Sequence, residues 1–248
     1  MLSALDLTPA DIHAYHRHKR CPKLAKSLDS DDLIFLFDLD NTLYPRSSGL
    51  LRHLDQRINA YLRDLLDLSE DAVDELRRRY VSEYGTTLRG CQVELGVDPR
   101  EYIARTHTID PRLYISPDKA VERTLRELPG MKVVFSNSPK IHVDRVLSAL
   151  DLTQMFDKVY TIEFFEYVGK PDRSAYERVL ADLNADPERC VMIEDTPVNL
   201  VVPYEMGMTT VLISDDLDFK PDYVDYAVKE LLELLRVWES ECVGRTAV

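Results

Sequence analysis

LIFLFDLDNTLYP, residues 33 to 45, begins with five apolar residues and runs straight into Asp38 and Asp40, two positions apart, before the turn pair Asn41-Thr42. A short apolar run closed by a turn reads as a buried strand. Two charges at the end of a buried strand need a physical reason, and the rest of the chain supplies one.

The same pattern recurs at KVVFS (132–136), CVMIE (190–194) and TTVLIS (209–214), with KVYTIEF (158–164) a weaker fifth run. Amphipathic stretches alternate with these runs: PDKAVERTLREL before the second, IHVDRVLSAL after it, and DRSAYERVLADL before the 190 run. In IHVDRVLSAL the apolar face is expected at Ile141, Val146, Leu147 and Leu150. Strands apolar throughout and separated by amphipathic helices predict a doubly wound α/β fold with a parallel sheet covered on both faces. Ligands of such sheets bind outside the carboxyl ends of the strands. Asp38 and Asp40 end the first run, Ser136-Asn137 the second and Glu194-Asp195 the fourth. The acids therefore line one edge of the sheet and leave its interior apolar.

Roughly 90 residues separate the first two strands, far more than an ordinary connection. HLDQRINAYLRDLLDL, SEDAVDELRRRYVSEYG and DPREYIARTH in this interval read as helix. Ser69 with Asp71 is a start signal and Gly85 a stop. The chain is expected to divide into an N-terminal helical extension (1–30), a catalytic core (31–48 and 112–248) and a helical cap inserted after the first strand (49–111). CPKLAKSLDSDD, residues 21–32, reads as the linker onto that strand.

The net charge of −13 argues against a nucleic-acid polymer as partner. An anionic substrate would need a local positive site, either a metal ion or a placed lysine. No apolar run reaches the ~18 residues of a membrane span, and the first twenty residues lack a secretory signal. The four cysteines, Cys21, Cys91, Cys190 and Cys242, are scattered without a CxxC. They read as reduced thiols of a cytoplasmic protein.

Asp38, Asp40, Glu194 and Asp195 at one edge would raise one another's pKa and oppose folding. A hard divalent cation among them removes the conflict. Magnesium suits oxygen ligands and commonly adds a substrate phosphate oxygen. A carboxylate can also act as a nucleophile through an aspartyl phosphate, provided a second group handles the leaving-group proton. Residues two apart in an extended segment face the same way, so Asp38 and Asp40 can share one substrate.

DLDNTLY, FSNS, GKP and MIEDT stand in the order of the four motifs of the haloacid-dehalogenase-like (HAD) hydrolases, which the chain resembles from about residue 31 onward. The resemblance implies Asp38 as nucleophile, Asp40 as general acid and base, Ser136 as phosphate binder and Lys170 as the lysine that steadies nucleophile and phosphate. It implies magnesium held by Asp38, the Asp40 carbonyl and Asp195. Glu194 stands beside them, directly or through water, where close relatives often have a second Asp. Dehalogenase members lack an acid at the position of Asp40, so its presence points to phosphoryl transfer. DNTLYPRSSGL, YGTTLRG, DPREYIART and HVDRVLSALDL further resemble the pyrimidine 5′-nucleotidase branch. That likeness implies substrate contacts at Arg89 and Tyr44, and Asn137 at the end of the second strand is a further substrate-binding candidate.

Each residue also has a plainer reading. Asp38 and Asp40 suit a solvated turn, Ser136-Asn137 a helix cap before Pro139, Lys170 a loop, and Glu194-Asp195 a cap. Arg89 suits a surface, Tyr44 packing against the cap, and Asn199 a helix surface or a support for the fourth motif. His13 and His16 share a helical face but, with His18, suit a solvated N-terminal helix. The C-terminal AVKELLELLRVWES suits core packing or a homodimer contact. The ordered motifs favour the chemical reading. It is a magnesium-dependent phosphomonoesterase acting on a small phosphorylated metabolite, a pyrimidine nucleoside 5′-monophosphate leading. A phosphatase of a sugar or pyridoxal phosphate, a phosphomutase and a catalytically silent binding protein are the alternatives.

Overall fold

The computed structural model describes residues 32–243, and the backbone alone for 239–243. The expected N-terminal extension, with His13, His16 and His18, and nearly all of its linker lie outside the described residues.

Six parallel strands form one sheet: β1 Ile34–Phe37, β2 Met131–Phe135, β3 Lys158–Tyr160, β4 Cys190–Glu194, β5 Thr209–Ile213 and β6 Tyr226–Val228, in the order β3-β2-β1-β4-β5-β6. Registers Phe37↔Val134 and Phe37↔Ile193 place the ends of β2 and β4 level with the end of β1. The five expected strands are present, though the fifth run pairs only over 158–160. The short β6, with no long apolar run of its own, was not anticipated.

Alternate residues of β1 serve opposite faces, as the pleat requires. Phe35 and Phe37 pack with helices α5 (Lys119–Glu127), α6 (Lys140–Ala149) and α9 (Leu231–Val243). Leu36 packs with α7 (Arg173–Leu183) and α8 (Val201–Met206). The two layers are the doubly wound arrangement. In α9, Leu231, Leu234, Leu235 and Trp238 are buried, and the Trp238 ring meets Phe35 edge-on at 5.8 Å. This part of the C-terminal helix is core. In α6 the buried stripe is His142, Val143, Val146, Leu147 and Ala149, while Ile141 is exposed. Val146, Leu147 and Leu150 are buried as expected, and Ile141 alone of the expected face is not.

Between β1 and β2 the chain forms four helices: α1 Leu50–Leu66, α2 Glu70–Tyr84, α3 Thr87–Leu95 and α4 Pro99–Thr106. Their core of Leu54, Ile58, Leu62, Val73, Tyr80 and Tyr102 is separate from those on the sheet. Ser69 caps α2 by accepting from the Ala72 amide, and Gly85 ends it at φ 78°. Thr86 then caps α3 through the Arg89 amide, so YGTTLRG is a helix junction. A Cβ on Gly85 would stand 3.1 Å from the Lys170 carbonyl oxygen and 3.3 Å from Pro171. The helical insert therefore meets the loop after β3.

Candidate active site

β1 ends at Phe37, and the Asp38 amide extends its ladder with a 2.9 Å bond to the Ile193 carbonyl. Leu39 is fully buried, and Asn41 takes the left-handed conformation (φ 60°), which asparagine tolerates better than most residues. The chain then turns, with the Leu43 amide on the Leu39 carbonyl at 3.0 Å. Asp38 and Asp40 flank the buried Leu39, and both are themselves buried, at 7% and 9% exposure. Neither is a solvated turn residue.

Lys170 joins β1 to β4. Its Nζ donates to Asp38 Oδ1 at 2.8 Å and to Glu194 Oε2 at 2.6 Å, and it is 1% exposed. The Lys170 ammonium also stands 5.1 Å from the Phe135 ring centroid. The Lys170 backbone is held by Asn137. The Asn137 side-chain amide donates to the Lys170 carbonyl (2.7 Å), and its oxygen accepts from the Lys170 amide (2.8 Å). Gly169 makes this contact feasible, because a Cβ there would fall 2.2 Å from Asn137 Oδ1.

Asp195, beside Glu194, accepts from Asn41 Nδ2 at 3.1 Å, Arg46 at 2.9 Å and Thr196 Oγ1 at 3.0 Å. One oxygen each of Asp38, Glu194 and Asp195 lies within 4.8 Å of the others. Burial raises Asp38 to about 6, with Lys170 opposing and Asp195 and Asp40 adding to the rise. Burial, then the Asp38 charge, pushes Glu194 well up, again against Lys170. Three crowded oxygen donors, two of them reluctant to ionise without more positive charge, fit a hard divalent cation.

Asp40 is held differently. Tyr44 OH and His142 Nε2 meet its Oδ1 at 2.5 and 2.7 Å, and Ser138 Oγ donates to Oδ2 at 2.5 Å. Burial would raise its pKa, but the charge of His142 and these three hydrogen bonds outweigh burial and bring it to about 2. Ser136, 1% exposed at the end of β2, accepts from the Ser138 amide at 3.0 Å. Ser136 therefore supports the residue that holds Asp40, and Pro139, not Ser136 or Asn137, is the N-cap of α6.

Asp38, Lys170, Glu194 and Asp195 thus form one contiguous group. Asp40, Ser136 and Tyr44 form a second, joined to the first through the β1 turn. Asn137 has its amide engaged with Lys170 at both ends. Arg89 lies in α3, where its guanidinium donates to Gln92 at 3.1 Å. Asn199 is buried, and its carbonyl accepts from Tyr176 OH at 2.7 Å. Arg46, Ser138 and His142 were not singled out from sequence. Of these only His142 left a signal, a polar residue four before Val146 on the inward stripe of an amphipathic helix.

The chain is 24% identical over 224 residues to phosphate metabolism protein 8 of Saccharomyces cerevisiae, covering 82% of this chain and 69% of that protein. It is 25% identical over 237 residues to the glyceraldehyde 3-phosphate phosphatase of Pyrococcus furiosus, covering 84% and 93%. Its fold resembles the crystal structure of a HAD phosphatase from Thermococcus onnurineus, with a TM-score of 0.58 at 20% identity over 83% of this chain and 97% of that one. The haloacid dehalogenase-like hydrolase model matches residues 34–201, from β1 to the start of α8 and so across every element that carries the site; the chain belongs to that family.

Proposed function

We propose that this protein is a magnesium-dependent phosphomonoesterase that works through an aspartyl phosphate on Asp38, with nucleoside 5′-monophosphates, pyrimidine in particular, as its leading substrates. The observation that carries the reading is the convergence of Asp38, Glu194 and Asp195 within 4.8 Å, with the Lys170 ammonium bonded to the first two. Asp38, Glu194, Asp195 and the Asp40 carbonyl would hold the magnesium ion, which when bound supplies positive charge for the phosphoryl oxygens.

Asp38 Oδ attacks phosphorus and the ester oxygen departs. Asp40, ionised in the free site, takes the proton that a monoanionic phosphomonoester brings and delivers it to that oxygen, then takes one from the water that cleaves the acyl phosphate. Lys170 holds Asp38 in place and offsets its charge. Ser136 contributes a donor at the phosphate end, where the strand tips open on one side. In this assignment the core of residues 31–48 and 112–248 carries the chemistry. The cap of residues 49–111 selects the substrate, with Arg89 and Tyr44 on the substrate side and Asn137 acting through Lys170. The contact of Gly85 with the Lys170–Pro171 loop supports a cap seated over the site.

A second reading, a phosphatase of a small sugar phosphate, is favoured by the likeness to the Pyrococcus furiosus glyceraldehyde 3-phosphate phosphatase over 93% of its length. Turnover of a panel of nucleoside monophosphates and sugar phosphates, with and without magnesium, separates the two. Preference for a sugar phosphate moves the substrate assignment. Absence of magnesium-dependent turnover on every phosphoester removes the enzymatic reading.

A further inference from the structure

Asp40 has three donors drawn from three segments. Tyr44 comes from its own turn, Ser138 from the loop after β2, and His142 from the first turn of α6. A carboxyl otherwise turns broadly about its last torsion. With Tyr44 and His142 on Oδ1 and Ser138 on Oδ2, its plane is fixed from both ends.

His142 is 4% exposed and lies on the inward stripe of α6 with Val143, Val146 and Leu147. An apolar side chain would satisfy packing there. What the imidazole adds is a 2.7 Å contact to a carboxylate 102 residues earlier in the chain. The neighbouring His107 ring stands edge-on to it, centroids 5.9 Å apart. Thr106 Oγ1 gives its single hydrogen to the Tyr102 carbonyl at 2.7 Å, so its 2.8 Å contact with His107 Nδ1 requires that nitrogen to be the donor. Burial, then the charge of His142, lowers His107 to about 3, so the ring is neutral. It therefore supports His142 without competing for Asp40.

We propose that His142 is a positioning residue for Asp40. Its Nε2 holds Oδ1 against the pull of Ser138 on Oδ2, so that the carboxyl stays aimed at the leaving-group oxygen. The inference rests on the proposed role of Asp40 as general acid and base.

The test compares two esters on each enzyme preparation at saturating magnesium. p-Nitrophenyl phosphate releases a phenolate that leaves without protonation, whereas β-glycerophosphate releases an alkoxide that needs a proton. The readout is the ratio of kcat/KM for the alkyl ester to that for the aryl ester, from which the folded fraction cancels. General-acid catalysis contributes about 10²–10⁴-fold, so His142→Phe is expected to lower the ratio by about tenfold or more. His142→Gln, which keeps an N–H donor, is expected to stay within about threefold of wild type. His142→Asn replaces the phenylalanine variant if that one does not fold, with a loss of the ratio again expected because its shorter side chain falls short of Oδ1. An unchanged ratio in His142→Phe alongside a lowered one in Asp40→Asn overturns the positioning role and leaves Asp40 in place. An equal loss in His142→Phe and His142→Gln also overturns it, since shape and not the donor would then matter. An unchanged ratio in Asp40→Asn removes the acid role itself, and the proposal for His142 with it.

Discussion

Nζ of Lys170 and Oδ1 of Asp38 lie 2.8 Å apart in a site where the lysine is 1% exposed, and the same ammonium reaches Glu194 at 2.6 Å. One buried cation thus serves two buried carboxylates. Lys170→Met would leave both acids without their partner, and breaking a buried pair from one side costs about 3–5 kcal/mol. Urea unfolding of the metal-free variant should show a loss of this size. A loss within about 1 kcal/mol would mean that solvent already screens the pair.

Replacing Asp38 with Asn removes the proposed nucleophile but keeps its shape. Turnover should fall by more than about 10³-fold, since nucleophiles acting as part of a unit cannot be replaced piecemeal. Near-wild-type circular dichroism should accompany the loss. Retained turnover would transfer the nucleophile role elsewhere.

The raised pKa of Asp38 has a defined thermodynamic sign. Its value moves from the ordinary 3.8 to about 6, so between these limits the metal-free native state holds a proton that the unfolded chain has released. That contribution to stability therefore diminishes as pH rises through this window. Glu194 is shifted in the same direction. Metal-free Asp38→Asn should melt above wild type at about pH 7.5 and close to it at about pH 4.5. Equal Tm differences at both pH values would show that Asp38 carries no such penalty.

Magnesium should reverse the same penalty by binding only the native state. A ligand at 100 times its Kd stabilises by about 2.7 kcal/mol. Wild-type Tm should accordingly climb with added magnesium at neutral pH, and Asp195→Asn should show little or no rise. An undiminished rise in Asp195→Asn would remove that carboxylate from the metal site.

Gly169→Ala would push a Cβ to 2.2 Å from Asn137 Oδ1, so the clamp on the Lys170 backbone must open. A misplacement of the order of 1 Å at a reacting group can cost about 10²-fold in rate. kcat should drop on that scale with KM changed less. A variant as active as wild type would show that the loop holds Lys170 without Asn137.

Much of this site was legible because strand ends are legible. LIFLF, KVVFS and CVMIE announce buried strands, and the polar residues that terminate them must then share an edge. Asp38, Ser136 and Glu194 were placed by that reasoning alone. The supporting contacts were not legible, because they depend on which helix face turns inward. In and just after α6, Val146, Leu147 and Leu150 are buried as expected, but with Ile141 assigned to the same face His142 was passed over, and Ile141 proved exposed. Ser138 lies in a loop and Arg46 opens a single 3-10 turn (Arg46–Ser48), where no periodicity indicates which side chain turns toward an acid. Strand β6 has only three residues and draws its stability from β5 and α9, which no local pattern records.

The strand order places β1 between β2 and β4, although those two neighbours are encoded about 100 and 150 residues downstream of it. A nascent chain that has emerged only as far as α7 owns Asp38, Asp40, Ser136 and Lys170, yet still lacks one flank of the proposed nucleophile and two of the three clustered acids. If Asp38 is the nucleophile as proposed, turnover is expected to read out completed assembly. A proteolytic fragment ending before residue 190 would be inert, and recovery of turnover after dilution from denaturant would time the docking of β4 onto the rest of the sheet.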